Sequence, residues 1–300
     1  MCNLNIFIKS KKTKTNKELL NIMELINNTT TNSFLSNSNG EGFYFDYTNK
    51  ITKGLNKLNV LNFKNDIKKS NIILTHQRII TSGFKEKYTQ PFKNSEFVLL
   101  HNGVMSNFVD GDKSDTFIFF EKFLKHYSRY LKTYKDREES IKKSIQKLLK
   151  ANVGSYSICI YDIKTKNLYY FKNDKTKINF LLNKDNNFLF ITTNTDNINL
   201  LDFRFKDKFN ILKAENYIIY KIKIKNRKIK INKLCNLENK PKMPEPIYYS
   251  YNPKKNKYKK KYNKDRVDYY DYSNSLNDLN FKEENNPLKI SREEFIKYNY

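Results

Sequence analysis

The sequence predicts an α+β fold in which two β-sheets carry helices on their outer sides, giving four layers. Strand patterns fill the first hundred residues and return after Gly154, and two adjacent helical patterns lie between the two sets. Residue types that cap helices precede the helical patterns. With 300 residues, 38% of them hydrophobic, the chain is long enough to bury a core.

The N-terminal part begins with a strand and an amphipathic helix. Residues 4–8 alternate with the period of a strand, which places Leu4, Ile6 and Ile8 on one face. Thr15 precedes Glu18 by three residues, the spacing of a capping box, and apolar residues follow at helical spacing. Further strands are predicted at 42–47, 71–76 and 97–101.

Two helices and a second group of strands follow. One helix is predicted over 116–132, capped by Ser114 or Asp115, and another begins at Asp136 with Glu139 as its capping partner. Later strands are predicted at 155–161, 168–172, 178–182, 188–192, 217–224 and 228–234.

The composition changes near Asn236, so we expect a folded domain over 2–235 and a largely disordered, flexible basic tail over 236–300. The tail contains the lysine run 254–264 with interleaved tyrosines, which would allow contacts to nucleic acid. The abundance of Lys and Asn with little Gly, Ala or Trp is typical of an AT-rich genome. That bias explains most of the net charge of +26, and a solvated basic tail is the simpler interpretation.

Three cysteines without a CxxC spacing predict neither a zinc site nor a disulfide framework, and the sequence predicts no metal and no cofactor. No apolar run reaches the length of a membrane span, and the apolar start lacks the basic leader of a secretion signal. We therefore expect a soluble, cytoplasmic protein without a membrane partner.

Cys2 is the candidate nucleophile. Removal of Met1 would leave Cys2 with a thiol and a free α-amine, whose ordinary pKa is about 8, so a single residue would supply both nucleophile and general base. His76 and His101 are assigned structural roles because this chemistry needs no imidazole.

Three other segments bear groups suited to an amide substrate. Asn102 and Gly103, placed directly after the strand 97–101 and exposed at its end, would donate hydrogen bonds to an oxyanion, although Asn-Gly alone is a turn signal. The block 76–83 ends a strand with a cation, hydroxyls and a glycine, and its Arg78 would bind a carboxylate. Asp115 at a helix start would pair with an ammonium group. Together these groups describe a pocket for glutamine or asparagine.

In this order the segments resemble the class II glutamine amidotransferases, which are N-terminal-nucleophile hydrolases with an αββα sandwich fold. The likeness covers roughly 2–235, and it is closer to a small stand-alone group, often phage-borne. The matching elements are Cys2, the turn 39–43, the block 76–83, the segment 101–103, the element 114–116 and the strand opening 154–156.

The resemblance implies a role for each site residue. Cys2 is the nucleophile, Asn102 and Gly103 form the oxyanion hole, Arg78 binds the α-carboxylate with help from Thr81, and Asp115 binds the α-amine. Three residues depart from the family pattern: Asn3 where many relatives have Gly, and Ser82 and Gln90 where His is common. Ser82 nevertheless occupies a substrate-binding position.

The function that the resemblance implies is hydrolysis of L-glutamine to glutamate and ammonia through a γ-glutamyl thioester. The ammonia would pass to an acceptor on a separate synthase chain, or the protein would be a simple amidohydrolase. Two alternatives remain: an N-terminal-nucleophile hydrolase of another amide, and a non-catalytic protein whose tail binds nucleic acid.

Overall fold

A computed structural model describes residues 2–11, 15–37, 39–83, 85–108, 110–150, 152–194, 196–199, 209–237, 250–252 and 257–259. The chain divides into two units, Met1–Lys242 and Met243–Tyr300. The strands are β1 Asn3–Lys9, β2 Glu41–Phe45, β3 Lys50–Gly54, β4 Ile72–Gln77, β5 Phe92–Lys93, β6 Phe97–Met105, β7 Gly154–Asp162, β8 Asn167–Lys172, β9 Asn179–Asn183, β10 Phe188–Thr192, β11 Phe209–Lys213, β12 Ile218–Lys225, β13 Lys228–Asn236, β14 Ser250–Asn252 and β15 Lys257–Lys259. The α-helices are α1 Asn16–Ser36, α2 Lys64–Lys69, α3 Asp115–Tyr134, α4 Arg137–Leu149 and α5 Asp196–Asn199.

Two antiparallel sheets form the first unit. The seven-stranded sheet has the order β11-β9-β10-β1-β4-β2-β3, and the six-stranded sheet has the order β13-β12-β8-β7-β6-β5. β1 lies in the middle of the first sheet, where Asn3 stands opposite Gln77 of β4. The start of β1 is therefore next to the residues that follow β4.

Three hydrophobic clusters show how the elements pack. One contains side chains from both sheets, including Ile6, Leu74 and the fully buried Cys159. A second joins α1 and α2 to the first sheet, and a third joins α3 and α4 to the second sheet. The period-two alternation of β1 explains this arrangement, because Ile6 enters the first cluster while Phe7 enters the second.

The three predicted helix starts are confirmed by their capping hydrogen bonds. Thr15 accepts from the backbone N–H of Glu18 at 3.1 Å, and Ser114 caps α3. Asp136 accepts from the N–H of Glu139 at 2.7 Å. Each bond satisfies one of the N–H groups that a helix leaves unpaired at its first turn.

The prediction that Asn102 and Gly103 follow a strand and are exposed at its end is wrong. β6 continues to Met105 because β7 pairs with it along its whole length, so Asn102 lies opposite Ser157 inside the sheet. Asn102 is buried. The sequence also gave no signal for β3, β5 and β11, which lie at the edges of the two sheets.

Most of the tail predicted at 236–300 lies outside the described residues. In the second unit, β14 pairs with β15 in antiparallel register. Among all residues that the structure covers, no helix has both the length and the apolar character needed to cross a bilayer.

Candidate active site

Cys2 lies immediately before β1, and its side chain contacts the segment that follows β4. The half-buried thiol accepts a hydrogen bond from the backbone N–H of Ile79 at 3.3 Å and lies 3.4 Å from the Ile79 carbonyl oxygen. The β1–β4 register produces this contact, since Asn3 is opposite Gln77. Residues 77 positions apart in sequence thus form one site.

Burial raises the pKa of the Cys2 thiol, while the Ile79 N–H and the Arg78 charge act in the opposite direction. Because burial has the largest effect, the thiol stays protonated at neutral pH. Cys2 therefore needs a neighbouring base before it can act as a nucleophile.

Arg78 supports the loop that follows β4. Its guanidinium donates hydrogen bonds to the carbonyl oxygens of Ser82 at 2.7 Å and Lys85 at 3.3 Å, and also to that of Gly83. Arg78 is buried, whereas Thr81 on the same loop is exposed. A guanidinium has five N–H donors, and these three bonds use three of them.

Asp115 is the first residue of α3 and joins three segments. Its carboxylate accepts from the backbone N–H of Met105 at 2.8 Å and from that of Thr116 at 2.7 Å. Its own N–H donates to the Ser82 hydroxyl at 3.3 Å. Ser82 therefore connects Asp115 to Arg78, because the Arg78 guanidinium donates to the Ser82 carbonyl oxygen.

Asn102 and Gly103 lie in a closely packed part of β6, and the backbone at Gly103 accepts only glycine. Gly103 has a φ of 145°, and a Cβ at this position would lie 2.1 Å from the Ser155 carbonyl oxygen and 2.9 Å from the His101 ring. Only glycine is compatible with this φ angle and with these close contacts. Within the described part of the chain, the buried Asn102 carboxamide oxygen has no hydrogen-bond partner.

Buried hydrogen bonds connect His76, His101, Thr116 and Asp115 in a series that we call the polar chain. The sequence analysis did not predict it. His76 Nε2 lies 3.1 Å from the His101 carbonyl oxygen, and His101 Nδ1 lies 2.8 Å from the Thr116 hydroxyl. That hydroxyl donates to Asp115 at 3.2 Å. Because the hydroxyl has a single proton, His101 is the donor in its bond to Thr116. The polar chain connects the end of β4, the middle of β6 and the start of α3.

Gln90 completes the same chain from the segment before β5. Its carboxamide oxygen accepts from the His101 N–H at 2.6 Å, and its nitrogen donates to Thr116 at 3.3 Å. Gln90, one of the departures from the family pattern, therefore contacts this polar chain. Nothing in the local sequence would have indicated these contacts, which depend on the packing of distant segments.

Both histidines in the polar chain are neutral at physiological pH. Burial lowers the pKa of His76 to about 3, and burial also lowers the pKa of His101. A neutral imidazole carries one ring proton, and His76 uses its Nε2–H to donate to the His101 carbonyl. The structural roles predicted for these histidines agree with such contacts.

A second polar group lies on the α1 side of β1. The Asn5 amide donates to Gln77 at 3.1 Å, Gln77 donates to Glu41 at 2.9 Å, and Glu41 accepts from the N–H of Leu58 at 2.6 Å. Asn3 contacts the Ser33 carbonyl oxygen of α1 at 3.5 Å. These contacts hold the start of β1, which follows Cys2, beside the end of β4, which precedes Arg78.

The fold of this chain is similar to the folds of two solved structures. No protein-family model matches the chain, and no curated protein matches it. The solved structure of glutamine phosphoribosylpyrophosphate amidotransferase from B. subtilis, complexed with ADP and GMP, covers 77% of this chain with 14% identity and a TM-score of 0.51. A structure described as the allosteric regulatory enzyme of purine biosynthesis covers 78% with 13% identity and a TM-score of 0.51.

The chain spans about half the length of both solved structures, 49% in each case. At 13–14% identity, the likeness establishes a shared fold and leaves the chemistry to the site.

Proposed function

We propose that this protein is a class II glutamine amidotransferase that hydrolyses L-glutamine through a thioester on Cys2. One observation carries the proposal. The half-buried Cys2 thiol lies against Ile79, the residue after Arg78, and Ser82 connects Arg78 to Asp115 through hydrogen bonds. A nucleophile, a cation and an anion at one place match the amide, the α-carboxylate and the α-ammonium of glutamine.

The packing of the layers supports an αββα sandwich of the N-terminal-nucleophile type. The two sheets share one hydrophobic cluster, and each sheet has helices packed on its other side. β1 is the fourth of the seven strands in its sheet, so Cys2 precedes a central strand.

The proposed reaction begins with removal of Met1, which frees the Cys2 α-amine. The amine takes the thiol proton, and Sγ attacks the side-chain amide carbon of glutamine. The Asn102 amide and the Gly103 N–H stabilise the oxyanion, and the protonated amine gives its proton to the departing ammonia. A water molecule, activated by the same amine, then hydrolyses the thioester and releases glutamate.

The substrate's amino-acid end binds to Arg78 and Asp115 in this proposal. The two N–H donors that Arg78 does not use for its own loop suit a carboxylate, and the Asp115 carboxylate suits an ammonium group. Thr81 and Ser82, on the loop that Arg78 supports, add hydroxyl contacts. Oxygens of Asp115 already accept backbone N–H groups, so its orientation is set before substrate binds.

The released ammonia would pass to an acceptor on a separate chain. The block 76–79 supports a likeness to the small stand-alone members of the family.

The test uses the untagged full chain and 6-diazo-5-oxo-L-norleucine, a glutamine analogue that alkylates a correctly placed nucleophile. We expect intact mass spectrometry to show loss of Met1 and one adduct. The adduct should be absent from Cys2→Ala and present in Cys235→Ala, which removes another half-buried cysteine.

Retention of Met1 in the isolated protein would rule out the proposed base. Loss of Met1 without an adduct, together with no release of glutamate from glutamine, would instead favour a hydrolase of another amide or a non-catalytic protein.

A further inference from the structure

The hairpin formed by β12 and β13 has an outward face made of lysines. Lys223 stands directly opposite Lys230, and Lys225 stands opposite Lys228. The two-residue turn between the strands has positive φ at Asn226 (52°) and Arg227 (56°), as in the tight hairpin turns that match strand twist. We call the four lysines the basic hairpin.

The alternation of the strands explains why the lysines point outward. Ile222 and Ile229 are buried in the cluster between the two sheets, so residues one position away along each strand face the opposite side. Lys225, Lys228 and Lys230 are exposed, and Lys223 is half-buried. No apolar residue interrupts this face from Lys221 to Lys225 or from Lys228 to Asn232.

The tip of the hairpin is held in place by the first sheet. The Ser10 hydroxyl donates to the Arg227 carbonyl oxygen at 2.6 Å, and the N–H of Ile229 donates to the Asn186 carbonyl oxygen at 2.6 Å. The basic hairpin is therefore a fixed surface. Ser10 follows the end of β1 opposite to Cys2, so the hairpin tip is remote from the candidate active site.

The charges of the basic hairpin are not neutralised by the rest of the described chain. Lys221 forms an ion pair with Glu138 of α4, but the four lysines beyond it form none within the parts of the chain that the structure describes. Like charges directly opposite each other in a sheet are unfavourable. An anionic partner would remove this repulsion.

We propose that the basic hairpin binds the phosphate backbone of double-stranded nucleic acid without reading its sequence. Lysines in alternating positions contact phosphates as point charges. The face has no aromatic side chain to stack on bases, and it has no apolar side chain to insert into a membrane. These absences favour duplex backbone contacts over single strands or lipid.

The test measures binding of the full chain to a fluorescein-labelled DNA duplex of about 30 base pairs, by anisotropy, between about 50 and about 200 mM salt. The variant K223Q/K225Q/K228Q/K230Q removes the basic hairpin. The matched control, K17Q/K50Q/K64Q/K68Q, removes the same charge from exposed lysines of α1, β3 and α2.

We expect the hairpin variant to lose at least about tenfold in affinity at low salt, and its slope of log affinity against log salt to shrink by about 3 to 4, near 0.9 per lost phosphate contact. The control variant should stay within about threefold of the parent. Circular dichroism and alkylation of Cys2 by 6-diazo-5-oxo-L-norleucine report whether both variants are folded.

Equal losses in the two variants would show binding through overall charge and overturn the proposal. An unchanged salt slope in the hairpin variant would overturn it as well. So would binding of phosphatidylserine vesicles, lost in the hairpin variant, without binding of DNA by the parent chain.

Discussion

Replacing Thr116 by valine would cut the polar chain that joins Asp115 to β6. The Thr116 hydroxyl lies at the meeting point of three buried contacts, to His101 at 2.8 Å, to Asp115 at 3.2 Å and to Gln90 at 3.3 Å. Valine has nearly the same shape but cannot form any of them. The substitution leaves the backbone N–H of Thr116 and its bond to Asp115 intact.

The cost follows from the groups left without partners. The His101 ring N–H and the Gln90 amide would each remain buried and unpaired, at roughly 1–3 kcal/mol apiece, partly offset by the added methyl group. We expect a loss of about 2–4 kcal/mol in the free energy of unfolding. For a domain of this size, that corresponds to a decrease in Tm of roughly 5–15 °C.

The assay combines urea unfolding with the rate of Cys2 alkylation by 6-diazo-5-oxo-L-norleucine. Thr116→Val should unfold at lower urea and react at least about tenfold more slowly, because Asp115 loses one of the contacts that orient it. Thr116→Ser keeps the hydroxyl and should resemble the parent in both measurements. If valine and serine behave alike, the hydroxyl contacts do not support the site, and the reasoning is refuted.

Two further predictions concern stability. Arg137→Met removes the two hydrogen bonds from Arg137 to the fully buried Asp162, at 2.6 and 2.7 Å. It should cost about 3 kcal/mol in urea unfolding, because the buried carboxylate loses its counter-ion and keeps, among the described residues, only the hydrogen bonds from Lys164 and Thr165. His76 has a folded pKa of about 3, below its ordinary value near 6.5, so its contribution to stability is complete above pH 6.5 and is lost as pH falls toward 3. His76→Gln should reduce the slope of stability against pH below 6.5, by up to about 1.4 kcal/mol per pH unit.

Each of these predictions has a matched control. Arg129→Met removes an exposed arginine of α3 and should change the free energy of unfolding by no more than about 0.5 kcal/mol. His126→Gln removes a histidine that is only partly buried, and most of the pH dependence should remain. A parent-like Arg137→Met, or equal pH slopes for the two histidine variants, would contradict the assigned contacts.

Local signals in the sequence determined much of the fold. Thr15, Ser114 and Asp136 cap their helices as predicted, because an N-cap depends only on a side chain and an N–H two or three residues away. Alternation placed Ile6 on the side of β1 that faces the second sheet. Cys2 is a candidate nucleophile for an equally local reason, its position directly after Met1.

The tertiary structure decided how the candidate residues meet. Only pairing with β7 shows that Asn102 lies within β6, since strand length depends on a partner more than fifty residues away. The contacts of Cys2 with Ile79 and of His101 with Thr116 likewise join segments that are separated in sequence. Sequence periodicity reports which face of an element is buried, whereas the contacts of a buried polar group depend on segments that only the folded chain brings together.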